Sequence, residues 1–392
     1  MPRRPLAALG FSAFFAAIAT AQMGPHGAKY FAAACGGLFL CAILAAIALR
    51  RRKKARLPIL GLTMGLAACC VVSVLYGISY SSSVLPYEGL HGVEAHARMQ
   101  ILDYPQPQYG RFYYNARVFM LDYQMVEPFN IRVSSQDGIY FYSPGDFVDC
   151  DIKLQSFSSD GLFSAKAAQA ARGNALSAYV TGGRTQCARN LAPGLSHYLA
   201  QLRNHVGRCV STQLTPESSG MVRAILLGQR GYLSSETYGS FRRLGVSHLL
   251  ATSGLHMAAV AAAVSLLINR LPLGFRWRNF IKSLAIIMYL CLTGFPVSAL
   301  RSACMFLIMF LGDSIGRRPD SLNSLGAAAL LICLLRPLSG GDLGFVLSVL
   351  STAGIIVMYT PLMSRFMGLF REHSPLRRIL KPILASVCVS LS

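Results

Sequence analysis

Three polar residues interrupt one long apolar run in the second half of the chain: His248, Ser253 and His256. Polar side chains at bilayer depth are costly and usually face a cavity or another helix. They could line a path for a charged solute, or they could join helices through hydrogen bonds, and both interpretations stay open. Gly254 could break the helix so that backbone groups face water, or it could allow close helix packing.

An arginine lies in a second apolar run, four residues after Val297. A buried cation at that depth needs a partner or a hydrated path. Arg301 could bind phosphate as a forked donor, or it could extend to the membrane surface. Three more arginines precede the apolar run that contains His248: Arg230, Arg242 and Arg243. They suit either phosphate contact or interfacial anchoring.

The same residues do not form a recognisable catalytic or metal site. His248 and His256 are eight residues apart, about 80° around a helix, and no third metal ligand is evident. The sequence contains no nucleophile–base set and no cysteine pair with zinc spacing. We therefore expect no enzyme activity, no metal and no cofactor.

The composition predicts a polytopic α-helical membrane protein with a small β domain. Hydrophobic residues make up 53% of the 392 residues, charged residues only 14%, and the mean hydropathy is +0.45. A soluble domain usually carries about 25% charged residues. Several apolar runs reach the roughly 20 residues that cross a bilayer. The composition excludes a disordered chain, a disulfide-framed mini-protein and a soluble cytosolic enzyme.

The apolar runs divide the chain into four predicted regions. Residues 1–80 hold about three transmembrane helices, and residues 81–160 form the β domain. Residues 161–244 form a basic, amphipathic helical connector, and residues 245–392 form a helical membrane core. The last apolar run stops after ten residues, so we expect a fragment or a truncated gene product. The first run ends in Ala19-Thr20-Ala21, which mimics a signal-peptidase site, so cleavage and retention of this span both stay open.

Alternating and aromatic patterns predict a β domain of about five strands, with strands at 95–102, 112–121, 130–133 and 147–154. A helix is predicted over 162–178, followed by an irregular stretch over 179–189. Two amphipathic helices are predicted next, at 193–210 and 215–227. The second has Thr215 as its N-cap and Pro216 in its first position.

Charge predicts the orientation in the membrane. The chain has 37 Lys and Arg residues against 16 Asp and Glu residues, which gives a net charge of +21. Threading the apolar runs through a bilayer places five basic loops on one side, which the positive-inside rule assigns to the cytoplasm. The N-terminus then lies in the cytoplasm and the β domain lies outside the cell membrane. The five loops are Arg3 and Arg4, then residues 50–56, 270–282, 317–318 and 365–381.

Charge also separates the β domain from the connector. Residues 85–160 hold ten acids and five bases, whereas residues 161–245 hold two acids and ten bases. A polyanion handled outside the cell would therefore be attracted to the connector. Cys150, Cys187 and Cys209 lie outside the apolar runs, and an oxidising compartment would allow one disulfide among them. A Cys150–Cys187 disulfide would tie the β domain to the connector, although sequence alone does not choose the pair.

Two strings of residues after the connector resemble the ComEC family, whose members are membrane channel proteins of bacterial competence. Residues 224–230 read AILLGQR and residues 241–256 read FRRLGVSHLLATSGLH, which is similar to the family signature LLGDR … F…GL.HLLA.SGLH. Further matches follow at 294–303, 323–330, 336–337 and 344–348. Two positions depart from the family pattern, because Gln229 replaces an Asp and Val346 replaces a Gln. The metallo-β-lactamase-like domain of many members has no counterpart in this sequence.

The resemblance implies a channel component that takes up single-stranded DNA during natural transformation. It also implies an OB-fold for the β domain, and such folds stack bases on aromatic rings. Tyr113 and Tyr142 are the candidate stacking residues. The implied partners are single-stranded DNA, the lipid bilayer, a DNA receptor and a cytoplasmic translocase, and assembly into a homo-oligomer stays open. A small-solute or envelope-lipid transporter and a non-conducting truncated fragment are the alternatives.

Overall fold

The computed structural model describes residues 4–48, 53–108, 111–136, 144–158, 164–188, 194–244, 254–317 and 320–368. Within these ranges it contains eleven α-helices and six strands. The first two helices precede the strands, one short helix lies among them, and eight helices follow. The helices are α1 Pro5–Ala48, α2 Lys53–Ser83, α3 Ala165–Ala171, α4 Leu195–Gln213, α5 Pro216–Leu227, α6 Ser235–Arg243, α7 Gly254–Asn269, α8 Phe275–Thr293, α9 Val297–Ser314, α10 Ser321–Leu335 and α11 Leu343–Gly368. The strands are β1 Glu94–Ile101, β2 Gln106–Gln108, β3 Arg111–Leu121, β4 Gln124–Ser135, β5 Phe147–Gln155 and β6 Leu176–Ala188.

Among the described residues, three helical stretches are long and apolar enough to cross a membrane: Pro5–Leu44, Gly61–Leu90 and Val297–Ser314. Shorter apolar helices cover Gly254–Asn269, Ser321–Leu335 and Leu343–Tyr359. Helix α1 is interrupted at Gly24, whose φ of 70° is left-handed. Pro25 follows, and a residue before proline avoids the helical region, so the chain turns here between the first two predicted apolar runs.

The first half of α1 packs inside the helical core rather than beside it. Phe14 is fully buried, and its ring meets the ring of Phe345 edge to face at 5.6 Å. Gly10 and Gly326 bring α1 and α10 into backbone contact. Small residues allow such close approach between apolar helices. The N-terminal helix is therefore part of the same core as α9, α10 and α11.

Gly326→Ala is expected to destabilise the helical core. A Cβ at this position would lie 2.4 Å from Ala7 Cα and 2.4 Å from the Leu6 carbonyl oxygen, and backbone atoms cannot move aside cheaply. Overpacking of this kind costs about 1–3 kcal/mol. Thermal unfolding of the purified protein measures the effect. Gly37→Ala is the matched control, because a Cβ there meets nothing within 4 Å and should leave the unfolding temperature unchanged or raised. Equal stability of the two variants would contradict the close crossing of α1 and α10.

Five strands close into a small barrel. The sheet order is β1-β5-β6-β4-β3-β2, and β1 also pairs with β3, which completes the ring of long strands. Every pairing is antiparallel except that of β4 with β6. Strands β3 and β4 join through Asp122 and Tyr123, whose φ values of 46° and 64° are those of a tight hairpin turn. Alternate side chains point inward and form the barrel core.

The fifth barrel strand differs from the sequence prediction. Residues 162–178 were expected to be helical and residues 179–189 irregular, but the helix α3 has only seven residues and β6 follows it. The alanine-rich sequence favours a helix locally. Pairing with β4 on one side and β5 on the other satisfies the backbone of β6 and overrides that preference. The β domain therefore extends beyond residue 160 into the predicted connector.

Candidate nucleic-acid interface

Three acidic residues of the barrel are paired on its β1–β5 side. Lys153 Nζ lies 2.8 Å from Glu94 Oε1, and Arg98 binds Asp149 through two hydrogen bonds of 2.8 and 2.7 Å. The Arg98 guanidinium lowers the pKa of the Asp149 carboxyl. His96 Nδ1 contacts Asp151 at 2.8 Å in the same region. Three of the ten acids in residues 85–160 thus face basic side chains on this side of the barrel.

The other side of the barrel carries cations and aromatic rings. We call it the arginine–tyrosine face, and it consists of Arg111, Tyr113, Arg132, Arg172 and Tyr179. The Arg132 guanidinium lies 5.2 Å from the centre of the Tyr113 ring, and that of Arg111 lies 5.8 Å from the Tyr179 ring. Burial, together with the charge of Arg172, lowers the pKa of Arg132, although Tyr113 and Asp103 oppose the shift.

The strand register fixes the spacing of the two rings. Tyr113 on β3 lies opposite Ser134 on β4, and Ser134 lies opposite Tyr179 on β6. Two strand spacings separate the rings by about 10 Å. Both rings project from the outer surface, because their strand neighbours Phe112 and Ala178 are buried. Aromatic rings between arginines can stack bases while the guanidinium groups contact phosphates.

A carboxylate connects this face to the helices that follow. Asp103 accepts hydrogen bonds of 2.7 Å from both the backbone N and Nδ2 of Asn115. Burial raises the pKa of Asp103 to about 6, although Asn115, Arg203 and Arg132 oppose the shift. Arg203 on α4 donates from Nε to the Leu227 carbonyl oxygen at 3.0 Å. The carboxylate and Arg203 together link the barrel to the end of α5.

Asp103 should therefore contribute a specific pH dependence to stability. A raised pKa means that the folded protein binds the proton more tightly than the unfolded chain does. The stabilisation that Asp103 contributes to the free energy of unfolding is then fully present below about pH 4 and is lost as the pH rises to about 6. Above about pH 6 this part of the free energy no longer changes with pH. Thermal unfolding of the wild type and of Asp103→Asn across pH 4–7 measures it. The wild type should lose stability relative to the variant between pH 4 and 6, and the opposite trend would contradict the assignment.

A second arginine is buried between α4 and α5. Arg223 donates from Nε to Gln229 Oε1 at 2.9 Å and from Nη1 to Ser211 Oγ at 3.1 Å. Its guanidinium also lies 3.3 Å from the ring centre of Tyr232. Gly207 leaves room for this cluster, because a Cβ there would lie 3.0 Å from Arg223 Nε. Each of these contacts ties the connector helices together, so Arg223 has a structural role.

Arg301 is buried among neutral groups in the helical core. It is 5% exposed, and it donates to Thr352 Oγ1, to Ser302 Oγ at 3.2 Å and to Met305 Sδ at 3.8 Å. Its Nε has no hydrogen-bond partner among the described residues, and no salt bridge to it is present within them. Gly254 at the start of α7 closes the site, because a Cβ there would lie 3.0 Å from Arg301 Nη2 and 2.7 Å from Ser302 Oγ. Arg301 is thus a buried cation without an acidic neighbour in the described part of the chain.

The sequence allowed a hydrated path at Arg301, and this path is closed in this conformation. The structure brings Gly254 and Arg301 together, as the path prediction requires, but their contact leaves the guanidinium almost fully covered. His256 is partly exposed in the first turn of α7. Access to Arg301 from this side would require α7 to move away from α9.

The remaining predicted residues are either at the surface or outside the described residues. Arg242 and Arg243 are exposed in the last turn of α6. Arg230 begins a short 3-10 helix at Arg230–Tyr232, and its side chain is outside the described set. His248, Ser253 and Tyr142 also lie outside the described residues. Their proposed contacts with DNA stay predictions.

The predicted disulfide also stays a prediction. Cys150 is 2% exposed and belongs to the barrel core on β5. Cys187 lies on the neighbouring strand β6, where its backbone is opposite Val148, two residues from Cys150 along β5. The side chain of Cys187 is outside the described set. The two strands are adjacent, so the disulfide would join barrel strands rather than separate domains.

Sequence reasoning missed most of the arginine–tyrosine face. Tyr179 fell in a stretch expected to be irregular, and the net acidity of residues 85–160 concealed the separation of charge between the two sides. One signal was available, because Ser177, Tyr179 and Thr181 alternate with Ala178 and Val180 at the period of a strand. The partners of Arg301 were beyond sequence reasoning, since Thr352 is 51 residues away.

Comparisons with known proteins agree with the helical part of this arrangement. The family model described as Competence protein matches residues 225–391. The ComE operon protein 3 of Bacillus subtilis (strain 168) is 31% identical over 147 residues, which is 38% of this chain and 19% of that relative. Both findings support the resemblance of this part of the chain to the ComEC family. No solved structure matches the chain. The match spans less than a fifth of the relative's length. The apolar helices and the match to the competence family together indicate a membrane protein.

The structure explains both departures from the ComEC pattern. Gln229 is 3% exposed and accepts the hydrogen bond from Arg223, so a neutral amide holds the arginine where the family pattern has a carboxylate. Val346 is 3% exposed and packs in the helical core with Phe345. Neither side chain faces an open path in this conformation. Among the described residues, no group of His, Cys, Asp or Glu could hold a metal ion.

Proposed function

We propose that this protein is a component of the membrane channel that takes up single-stranded DNA during natural transformation. The strand first binds the arginine–tyrosine face outside the cell membrane and then passes among the helices from α7 onward. The match to the Competence protein family model and the similarity to ComE operon protein 3 support the role in competence. The observation that carries the DNA contact is the pairing of Arg132 with Tyr113 and of Arg111 with Tyr179 on one side of the barrel.

The proposed placement is a multi-pass protein of the cell membrane with its barrel outside. Five basic loops that fall on one side after threading support a cytoplasmic N-terminus. The chain needs no chemistry of its own in this role, because it replaces water around a polyanion with cationic and polar contacts. The force that moves the strand would come from a cytoplasmic translocase, and an external receptor would deliver the DNA.

The barrel suits the binding step if it is OB-like. Five strands with one parallel pair support that assignment, and oligonucleotides bind OB-folds on the face of the second and third strands. Here β3 and β4 are the second and third of the five barrel strands, and they carry Arg111, Tyr113 and Arg132. Glu94 and Asp149 are paired with bases on the β1–β5 side, so these two acids oppose the strand less than their charge alone suggests.

Arg301 suits the conducting step as a contact for phosphate. A buried cation without an acidic neighbour is costly and usually marks the route of an ion or substrate. The closed contact at Gly254 means that the strand would enter only after α7 separates from α9. The structure would then represent a resting channel.

Uptake of labelled DNA by competent cells that lack the gene tests the proposal. Cells complemented with the wild-type gene should internalise DNA, and cells without it should not. Arg98→Gln is a suitable control variant, since it removes a charge on the β1–β5 side and should retain uptake. Normal uptake without the gene would overturn the proposal and would favour the alternative of a small-solute or envelope-lipid transporter.

A further inference from the structure

A groove between α8 and α9 lies at the opposite end of α9 from Arg301. Its volume is about 520 Å³, and it lies between the first turns of α8 and the last turns of α9. One cation, Arg276, stands at its mouth, and apolar side chains form its walls. Phe280, Leu311 and Ile315 on these walls are 58%, 65% and 64% exposed. A surface this apolar needs an apolar environment.

The polar side chains inside the groove already have partners. Asn279 donates to the Phe310 carbonyl oxygen at 3.3 Å and to Ser314 Oγ at 3.2 Å. Ser283 donates to the Asn279 carbonyl oxygen at 2.8 Å. The groove floor therefore offers no unmet hydrogen-bonding group to a polar ligand. It is suited to a hydrocarbon chain.

The mouth of the groove is positively charged. Arg276, Arg278 and Lys282 lie on α8, which has no acidic residue, and α9 contributes the single acid Asp313. Arg278 binds the Leu273 carbonyl oxygen. Arg276 makes no hydrogen bond or ion pair with any residue in the described ranges. Its guanidinium is therefore available to an anion.

Aromatic residues place this mouth at the level of lipid headgroups. Phe275 and Trp277 are 59% and 65% exposed, and the ring of Trp277 meets that of Phe280 edge to face at 5.8 Å. Exposed aromatics beside arginines are typical of the membrane–water interface. Basic pockets between membrane helices bind anionic headgroups. We infer that the groove binds one anionic phospholipid, with its phosphate on Arg276 and an acyl chain along Phe280 and Leu311.

Trp277 gives a direct assay, because it is the only tryptophan in the chain. The purified full-length protein is reconstituted into vesicles of phosphatidylcholine that contain a minor fraction of phosphatidylglycerol. The acyl chains are brominated either in the phosphatidylglycerol or in an equal amount of the phosphatidylcholine, since bromine quenches tryptophan fluorescence on contact. Brominated phosphatidylglycerol should reach Trp277 with about fivefold preference, the effect of one cation near an anionic lipid.

Two variants distinguish lipid binding in the groove from general attraction of anionic lipids to the basic residues around the start of α8. Arg276→Gln should remove the preference for phosphatidylglycerol. Arg270→Gln removes one positive charge from the nearby segment between α7 and α8. Arg270 does not line the groove, so this variant should retain the preference. Size-exclusion chromatography checks that both variants are folded. Equal quenching by the two lipids in the wild type, or an unchanged preference in Arg276→Gln, would overturn the inference.

A final experiment distinguishes binding of lipid in the groove from binding of nucleic acid. A single-stranded oligonucleotide added to the vesicles should leave the quenching by brominated phosphatidylglycerol unchanged. Release of the quenching by the oligonucleotide would assign the groove to the DNA strand instead and would overturn the lipid site. DNA uptake by Arg276→Gln cells is a separate measurement, so the failure of this inference is distinguishable from failure of the proposed channel role.

Discussion

Arg301→Met is expected to reduce DNA uptake at least about tenfold and, at the same time, to make the protein more stable. The arginine is 5% exposed and has only neutral hydrogen-bond partners among the described residues. Replacing a buried ion pair with apolar residues of similar size is often neutral or stabilising by about 1–4 kcal/mol, and within the described residues Arg301 has no attraction to a counter-ion to lose. Loss of one charged contact with phosphate costs about 1.5–3 kcal/mol, which corresponds to at least about tenfold less uptake.

The neighbours of Arg301 do not depend on it for their hydrogen bonds. Thr352 donates to the Ser348 carbonyl oxygen at 2.8 Å, and Ser302 donates to the Ser298 carbonyl oxygen at 3.3 Å. Both hydroxyls therefore stay satisfied when the guanidinium is removed. This is the reason to expect no compensating loss of stability.

Arg223→Met is the matched control for this prediction. Arg223 is also 5% exposed, but it holds Gln229 and Ser211 and lies on Tyr232. Its removal leaves the buried Gln229 oxygen without its donor, at a cost of about 1–3 kcal/mol. Thermal unfolding and uptake of labelled DNA are measured for both variants at matched protein levels. Arg301→Met should unfold at a higher temperature and take up less DNA, whereas Arg223→Met should unfold at a lower temperature.

Two outcomes would contradict the role of Arg301. Normal uptake by Arg301→Met would show that the strand does not need this cation. Destabilisation equal to that of Arg223→Met would show that Arg301 is a structural residue. Arg301→Lys adds a further comparison, because it keeps the charge without the forked donor and should retain part of the uptake.

Tyr113→Ala and Tyr179→Ala are each expected to weaken the binding of single-stranded DNA by the purified full-length protein. Stacking of a base on an aromatic ring is worth about 1–3 kcal/mol, so each variant should lose about 5- to 150-fold in affinity. Fluorescence anisotropy of a labelled oligonucleotide at fixed salt measures the affinity. Salt must be fixed because phosphate contacts make the affinity depend on it.

Tyr123→Ala is the control for the stacking prediction. Tyr123 is 79% exposed, and its ring stacks on His96 at the turn between β3 and β4, away from the arginine–tyrosine face. The affinity of this variant should equal that of the wild type. An equal loss in all three tyrosine variants would indicate that the arginine–tyrosine face is not the binding surface.

Much of the helical architecture was predictable from the sequence. Long apolar runs predicted that residues 245–392 are helical, and α7 to α11 lie in this range, because burial in an apolar medium leaves a continuous signal. The start of α5 was predicted correctly at Pro216, since proline is favoured in the first turn. The ComEC resemblance is confirmed by the family match.

The interactions that define the candidate sites were not predictable. Strand β6 has a helix-favouring sequence before it, and its conformation depends on pairing with β4 and β5, which are distant in sequence. The net charge of the β domain does not reveal which acids are paired, because pairing depends on the register of β1 and β5. The partners of Arg301 and the approach of Gly254 are set by helix crossings, and no local pattern encodes a crossing.

The most direct test of the proposed path is photo-cross-linking to DNA during uptake. A photoreactive phenylalanine derivative is placed at Tyr113, at Thr352 beside Arg301, or at Tyr123 as the control, in cells that are importing labelled DNA. The proposed path predicts cross-links to the incoming single strand from positions 113 and 352 and none from position 123. Cross-links from position 123 alone, or none from position 352 while import proceeds, would contradict a route from the barrel face to the Arg301 site.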